Sequence, residues 1–175
     1  SFSDLGLSPE LLKAIGDAGY VEPTPIQKEA IPYVLMTRDV LGCAQTGTGK
    51  TASFTLPMIE ILSSGRAKAR MPRSLILTPT RELAAQIAEN FEIYGKYHKL
   101  NMGFIPDVEK IVSLLPKMRQ TLFFSATMAP EIRRLSDAFL SNPKEVTVAP
   151  KSRPVTETVT QGIVIVDQRK KGDAL

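Results

Sequence analysis

Residues Ala44–Thr51 read Ala-Gln-Thr-Gly-Thr-Gly-Lys-Thr. An apolar run, Val40–Cys43, precedes this stretch, and a helical pattern of Ala52, Phe54, Leu56, Ile59 and Leu62 comes after it. Strand, glycine loop and helix N-terminus together present converging backbone N–H groups and a partial positive charge, which nucleotide phosphates require. Gly47 and Gly49 let the backbone approach phosphate closely. Lys50 supplies a point charge for the β- and γ-phosphates, and the Thr51 hydroxyl is a ligand for Mg²⁺. Ala44, Gln45, Thr46 and Thr48 complete the loop; Ala44 stands where the general pattern has glycine. Cys43, the one cysteine, closes the strand and reads as a small buried hydrophobe. A catalytic thiol there lacks a partner, because the sole histidine, His98, falls in an amphipathic helical pattern.

The remainder of the chain suits such a loop. It has 175 residues, 43% hydrophobic and 23% charged, enough for one α/β domain with a real core. A single cysteine excludes a disulfide framework and fits a reducing, cytoplasmic setting. No apolar run approaches the ~20 residues of a membrane span, and no signal peptide is visible, so no membrane association is expected. The net charge of +4 permits a nucleic-acid partner without demanding one.

Along the chain, Ser8-Pro9 opens a helix that Gly19 closes, and Thr24-Pro25-Ile26-Gln27 opens a second, which Pro32 should bend or end early. Pro57 should kink the helix after the glycine loop. Ser63–Arg73 is a basic loop. Ser74–Pro79 has the composition of a buried strand, with Thr80 capping a helix from Arg81 to about Tyr97. Pro106 opens another helix. Thr121–Ser125 and Glu145–Ala149 read as strands, separated by a helix over Pro130–Leu140 with Ile132, Leu135 and Phe139 inward. Alternating strands and helices predict a mostly parallel sheet covered on both faces. Residues 1–150 form this domain. Residues 151–175, rich in Pro, Thr and Val at their start, read as a linker and the opening of something further, with Gly162–Val166 as a strand candidate.

Three short motifs carry further chemistry. Gln27 either completes a capping box with Thr24 or reads adenine, whose N6 and N7 match a carboxamide; Phe2 and Tyr20 are core residues or surfaces for a base. Pro79-Thr80-Arg81-Glu82 places a hydroxyl, a guanidinium and free N–H groups at a helix start, a setting for a nucleic-acid phosphate or simply a capped helix with an Arg–Glu pair. Ser125-Ala126-Thr127 ends a strand, where hydroxyls bond neighbouring motifs or their own backbone.

Phe2, Gly19-Tyr20 with Pro23–Gln27, Ala44–Thr51, Pro79–Leu83 and Ser125–Thr127 occur in the order of the DEAD-box RNA helicases. The chain resembles the first RecA-like domain of a bacterial member, of the RhlE-type group, over nearly its whole length. The resemblance implies a RecA-like P-loop fold. It implies that the Phe2-to-Gln27 region reads adenine, and that Ala44–Thr51 binds ATP and Mg²⁺ with Lys50 and Thr51 at the reacting phosphates. It also implies that Pro79–Glu82 touches the RNA backbone, and that Ser125–Thr127 couples hydrolysis to strand separation. The tail resembles the linker into a second RecA-like domain.

One departure is large. The family's Asp-Glu-Ala-Asp strand end does not occur, nor do the Gly-Gly and Thr-Pro-Gly-Arg elements expected between Leu83 and Ser125. The stretch up to Asn101 resembles the family's segment just after the Pro79 motif, whereas Met102-Gly103-Phe104 resembles the segment just after the acidic one. About two βα units, on the order of 60 residues at ~30 each, are missing near Asn101–Gly103. The missing acids would hold Mg²⁺ through water and position the attacking water. Ile163–Asp167 has the form of an apolar strand ending in Asp, but Gln168 comes next, and it reads as a decoy. A missing strand beside the glycine-loop strand would leave two raw sheet edges. The expectation is therefore that the natural protein keeps these residues: an intact mass of 19.2 kDa means a true deletion, and a larger one means omission. Two other functions stay open, a different P-loop enzyme such as a small-molecule kinase, and a non-catalytic nucleotide-binding module.

Overall fold

The computed structural model describes residues 1–64, 73–100, 116 and 118–148. The Asn101–Gly103 junction, most of the basic loop, the helix opened by Pro106 and the tail with Gly162–Val166 and Asp167 lie outside the described residues.

A 3₁₀ turn, Phe2–Leu5, leads into helices α1 (Pro9–Asp17) and α2 (Pro25–Leu35), strand β1 (Val40–Cys43) and helix α3 (Lys50–Ser63). Next come helix α4 (Arg81–Tyr94), strand β2 (Leu122–Ser125), helix α5 (Pro130–Phe139) and strand β3 (Lys144–Thr147). The three strands are parallel in the order β2-β1-β3, with Val40 level with Leu122 and Lys144, and Cys43 level with Ser125 and Thr147. Parallel neighbours need a connection that crosses back over the sheet, so each pair here joins strands that lie far apart in sequence.

Side chains alternate across a strand, so Val40, Gly42, Leu122 and Phe124 share one face. That face packs under α2 and α3: Ala30, Val34 and Val40 form a buried cluster that Leu122 and Phe124 flank. Phe54 of α3 meets Phe124 with ring centroids 5.4 Å apart. Gly42 makes room for this contact, since a Cβ there would lie 2.5 Å from the Phe124 ring. Gly42→Ala is expected to lower stability by about 1–3 kcal/mol through overpacking; an unchanged melting temperature would contradict it. A second core joins Leu11 and Ile15 of α1, Leu56 and Ile59 of α3, and Ile87, Phe91 and Tyr94 of α4.

The prolines do less than their positions suggest. Helix α2 runs through Pro32 to Leu35, and α3 runs through Pro57 to Ser63. Pro57 is fully buried and leaves no N–H of its own unsatisfied there. At the N-terminus of α1, Ser8 holds the cap position but its hydroxyl makes no capping bond. Glu60 of α3 accepts the Ser8 N–H instead, at 2.9 Å.

Several expectations are corrected. Ser74–Pro79 is not a strand: residues 73–78 have no regular structure, and Leu77 is exposed. A strand needs a neighbour, and no described strand lies beside it. Among the described residues β2 and β3 take both edges of β1, so the absent strand does not belong beside β1, and the unpaired edges are the outer ones of β2 and β3. In α5 only Ser136 is buried, while Leu135 is 46% and Phe139 38% exposed. His98 lies in the turn beyond α4 rather than within it, its N–H bonded to the Gly95 carbonyl. Helix α4 itself stops at Tyr94, where Gly95 caps it.

Candidate nucleotide-binding site

The glycine loop crosses the C-terminal end of β1. It is anchored at its start by Ala44, whose N–H donates to the Ser125 carbonyl at 3.1 Å. Ala44 is buried with Ile26 and Val146, which explains a methyl where the general pattern has glycine: the side chain fills a core position under the loop. Gly47 and Gly49 have φ of 80° and 85°, a left-handed conformation that costs a side chain about 1–2 kcal/mol. Gly49 is the N-cap of α3 and has no side-chain cap, so the helix presents its first N–H groups to the loop, where phosphate binds.

Lys50 curls back into the loop. Its Nζ donates to the carbonyls of Ala44 at 2.5 Å and Gln45 at 2.7 Å. Burial pushes its ammonium below the ordinary lysine value, opposed by nearby Cys43. The charge thus rests on two carbonyl dipoles in the hollow of the loop, and a phosphate oxygen entering there exchanges weak acceptors for a charged one. Thr48 closes the loop tip, donating its hydroxyl to the Gln45 carbonyl at 2.6 Å. Thr51 begins the helix beside Lys50 and is half-buried.

Gln27 is tied to this loop directly. Its Oε1 accepts the Thr24 N–H at 2.9 Å, and its Nε2 donates to the Gly49 carbonyl at 3.2 Å. The Ser53 N–H and hydroxyl converge on the same carbonyl, each at 3.2 Å. A side chain at Gly49 would run into the Gln27 amide. The capping role of Gln27 therefore holds at one end of the carboxamide while the other end is fixed by the position of the loop. Ser53 escapes a reading of the sequence, because a serine one turn into a helix gives no signal of a partner.

The other candidates divide. Phe2 is 5% exposed and packs with Leu7 and Leu11 in the core, so its ring is not offered to a base. Tyr20 is half exposed and meets Tyr94 edge-on at 6.0 Å. Burial, with Tyr20 beside it, raises the pKa of the Tyr94 hydroxyl well above the usual range. Thr80 caps α4, accepting the Leu83 N–H at 3.2 Å. Pro79, Arg81 and Glu82 are exposed or partly so, and Arg81 and Glu82 form no ion pair with each other among the described residues. Ser125 stands level with Cys43, so Ser125-Ala126-Thr127 borders the loop; within it the Thr127 N–H donates to the Ser125 hydroxyl at 3.3 Å.

The cradle fits a polyphosphate: positive-φ glycines, an open helix N-terminus and a lysine within the loop. Of the residues expected to hold Mg²⁺, the Thr51 hydroxyl alone is found among the described residues. The described strands end on Cys43, Ser125 and Thr147, none of them a carboxylate.

A parallel sheet with a glycine loop at the C-terminal end of its central strand defines a P-loop nucleotide-binding domain. The DEAD/DEAH box helicase family model matches residues 24–103. The chain is 36% identical to an ATP-dependent RNA helicase DeaD of Mycobacterium tuberculosis and 34% identical to the DEAD-box ATP-dependent RNA helicase RhpA of Helicobacter pylori. These matches cover 100% of this chain but 40% and 46% of those proteins, so the chain spans less than half their length. Among solved structures, the RNA helicase Prp28 from Chaetomium thermophilum bound to ADP superposes with a TM-score of 0.72 at 27% identity, over 84% of this chain and 50% of that one. Dbp5 of S. cerevisiae bound to RNA and ADP BeF3 gives 0.70 at 26% identity, over 85% and 52%. Residues 24–103 match the DEAD/DEAH box helicase family, and the fold is like that of the RecA-like domains of the helicases on which the chain superposes.

The alignment with the Mycobacterium protein runs over 234 positions, 59 more than the 175 residues of this chain. The difference is close to the ~60 residues expected to be missing, and the family-model match ends at Gly103.

Proposed function

We propose that this chain is the ATP-binding first RecA-like domain of an ATP-dependent RNA helicase acting in the cytoplasm. The observation that carries the reading is the link from Gln27 through the Gly49 carbonyl to the loop that holds Lys50. A base recognised at Gln27 and a phosphate held at Lys50 thereby act on one rigid turn. Adenine would compete for the carboxamide that now bonds Thr24 and Gly49, so base recognition and loop position are coupled. Thr51 would supply a Mg²⁺ ligand, and the metal, when bound, would neutralise phosphate charge. Arg81 and the N-terminus of α4 would meet the RNA backbone, which carries no base sequence. In the whole protein a second RecA-like domain would close over ATP and RNA, and Ser125–Thr127, bordering the loop, would pass its state to the RNA side.

Gln27→Ala tests the carrying observation. ATP affinity is expected to fall about tenfold, the equivalent of one hydrogen bond to a charged or well-ordered site, while GTP binding, weak in the parent, stays unchanged. Equal affinity for ATP and GTP in the parent chain would point instead to another P-loop enzyme.

The strand ends favour a second reading for the chain standing alone, a nucleotide-binding module without hydrolysis. RNA is expected to produce no stimulation of ATP turnover by this chain. Robust RNA-dependent turnover would overturn that expectation.

A further inference from the structure

We propose that the hollow between α2 and the start of β3 is a docking site for an acidic, extended segment of a partner protein, which seats one apolar side chain between two lysines. Helix α2 forms one wall. Pro32 and Met36 follow Lys28 at successive helical turns, and Tyr33 follows Glu29 in the adjacent row. Lys144 and Glu145 of β3 form the other wall, and the two enclose about 400 Å³. All of these residues are described. Their side chains make the hollow, so it needs no free strand edge.

The walls are fixed before anything binds. Val146 of β3 is buried against Ile26 of α2. The Lys144 N–H donates to the Asp39 carbonyl at 2.7 Å, and its ammonium rests 4.8 Å from the centre of the Tyr33 ring. The Glu145 carboxylate accepts from both terminal nitrogens of Arg133, at 2.6 and 3.3 Å. A site held in place in this way loses little freedom when it is filled.

Charge selects the occupant. Glu145 already spends its carboxylate on Arg133. Among the described residues, neither Lys28 nor Lys144 has a carboxylate at ion-pair distance, which leaves two ammonium groups against Glu29. Between them lies an apolar floor, with Pro32 and Tyr33 half-buried and Met36 64% exposed. The unbranched thioether of Met36 adapts to side chains of different shape. An apolar residue with carboxylates on its flanks matches both the floor and the charges. From Lys28 to Met36 the helix rises about 12 Å, the length of about four residues of extended chain. A nucleic acid fits less well, because its repeating phosphates would also meet Glu29 and Glu145.

The test is a titration of the whole chain, read from its backbone amide resonances, with a blocked peptide Asp-Glu-Leu-Asp-Glu and its counterpart Lys-Lys-Leu-Lys-Lys. The acidic peptide is expected to shift the amides of Lys28, Tyr33, Met36 and Lys144, and the basic one to leave them in place. Raising the salt to ~0.5 M is expected to weaken binding about threefold or more, since the charges are exposed. Tyr33→Ala removes most of the floor and is expected to weaken it about tenfold. Lys28→Glu, at an exposed helix position, is expected to weaken it about fivefold without risk to the fold, and ATP affinity stays unchanged in both variants. The proposal is overturned if millimolar acidic peptide moves none of the four amides, or if the basic peptide moves them equally. Binding that survives Lys28→Glu overturns it as well. So does a single-stranded RNA oligonucleotide that shifts these amides where the acidic peptide does not.

Discussion

Lys50→Ala is expected to cut ATP affinity by about 100-fold or more, leaving the melting temperature within a few degrees of the parent. The ammonium lies inside the loop, on the carbonyls of Ala44 and Gln45, where the phosphates bind. A charged hydrogen bond to a phosphate is worth about 1.5–3 kcal/mol, and the charge attraction in a partly dry pocket adds to it, so about 3 kcal/mol converts to the stated loss. The fold gains little from Lys50, because burial already works against its charge. Calorimetric titration with ATP and a thermal melt on the same sample separate the two effects. A loss of affinity below about threefold would show that the lysine does not reach phosphate. A large drop in melting temperature would show instead that it is a structural strut.

Asp39→Ala is expected to lower stability by about 3–5 kcal/mol without touching a nucleotide ligand. Asp39 sits at the entrance of β1, 9% exposed. Its Oδ1 accepts the Thr121 N–H at 2.8 Å and its Oδ2 the Ser141 N–H at 2.7 Å. Its carbonyl accepts the Lys144 N–H at 2.7 Å. One residue therefore fixes the starts of all three strands, and it does so across 82 and 102 residues of sequence. Gln120 completes the clip, its amide donating to the carbonyls of Val34 and Arg38 at 3.0 and 2.9 Å. Alanine removes both carboxylate bonds and leaves two poorly solvated N–H groups, each costing about 1–3 kcal/mol. A domain with ~5–15 kcal/mol of total stability would show this as a melting temperature lower by roughly 6–20 °C at ~2–4 °C per kcal/mol. Denaturant titration checks the figure; a change below about 1 kcal/mol would mean that the strands are held in place by packing alone. Asp39→Asn should cost less, since the amide oxygen keeps one acceptor and its NH₂ opposes the other N–H.

These two residues mark what a sequence does and does not display. Lys50 is legible because its neighbours in the chain, Gly47, Gly49 and Thr51, form a local pattern whose only efficient use is phosphate. Asp39 is illegible because everything it does is non-local. It resembles any acidic residue before a strand until Thr121 and Ser141 are brought to it.

The same division runs through the fold. Helix starts at Pro9, Pro25, Arg81 and Pro130 arise from caps and prolines, and β1 arises from its apolar run. The strand expected at Ser74–Pro79 has the right composition, but strand formation needs a neighbour to take its hydrogen bonds, and no described strand supplies one. Leu135 and Phe139 have the periodicity of a buried face, yet periodicity only says that residues share a side, not that anything covers it.

By itself, then, the sequence determined the phosphate loop, the order of its motifs and the family they resemble, because these rest on contiguous residues with local geometry. It also led to the expectation of ~60 missing residues, close to the 59 extra positions in the alignment with the Mycobacterium relative. The tertiary structure alone decided that β1 is flanked on both sides. It decided that Gln27 holds the loop through Gly49 and that Phe2 belongs to the core. Each of those depends on which distant segments meet, and hydrogen bonds between strands and contacts between helices are settled only when the chain has closed on itself.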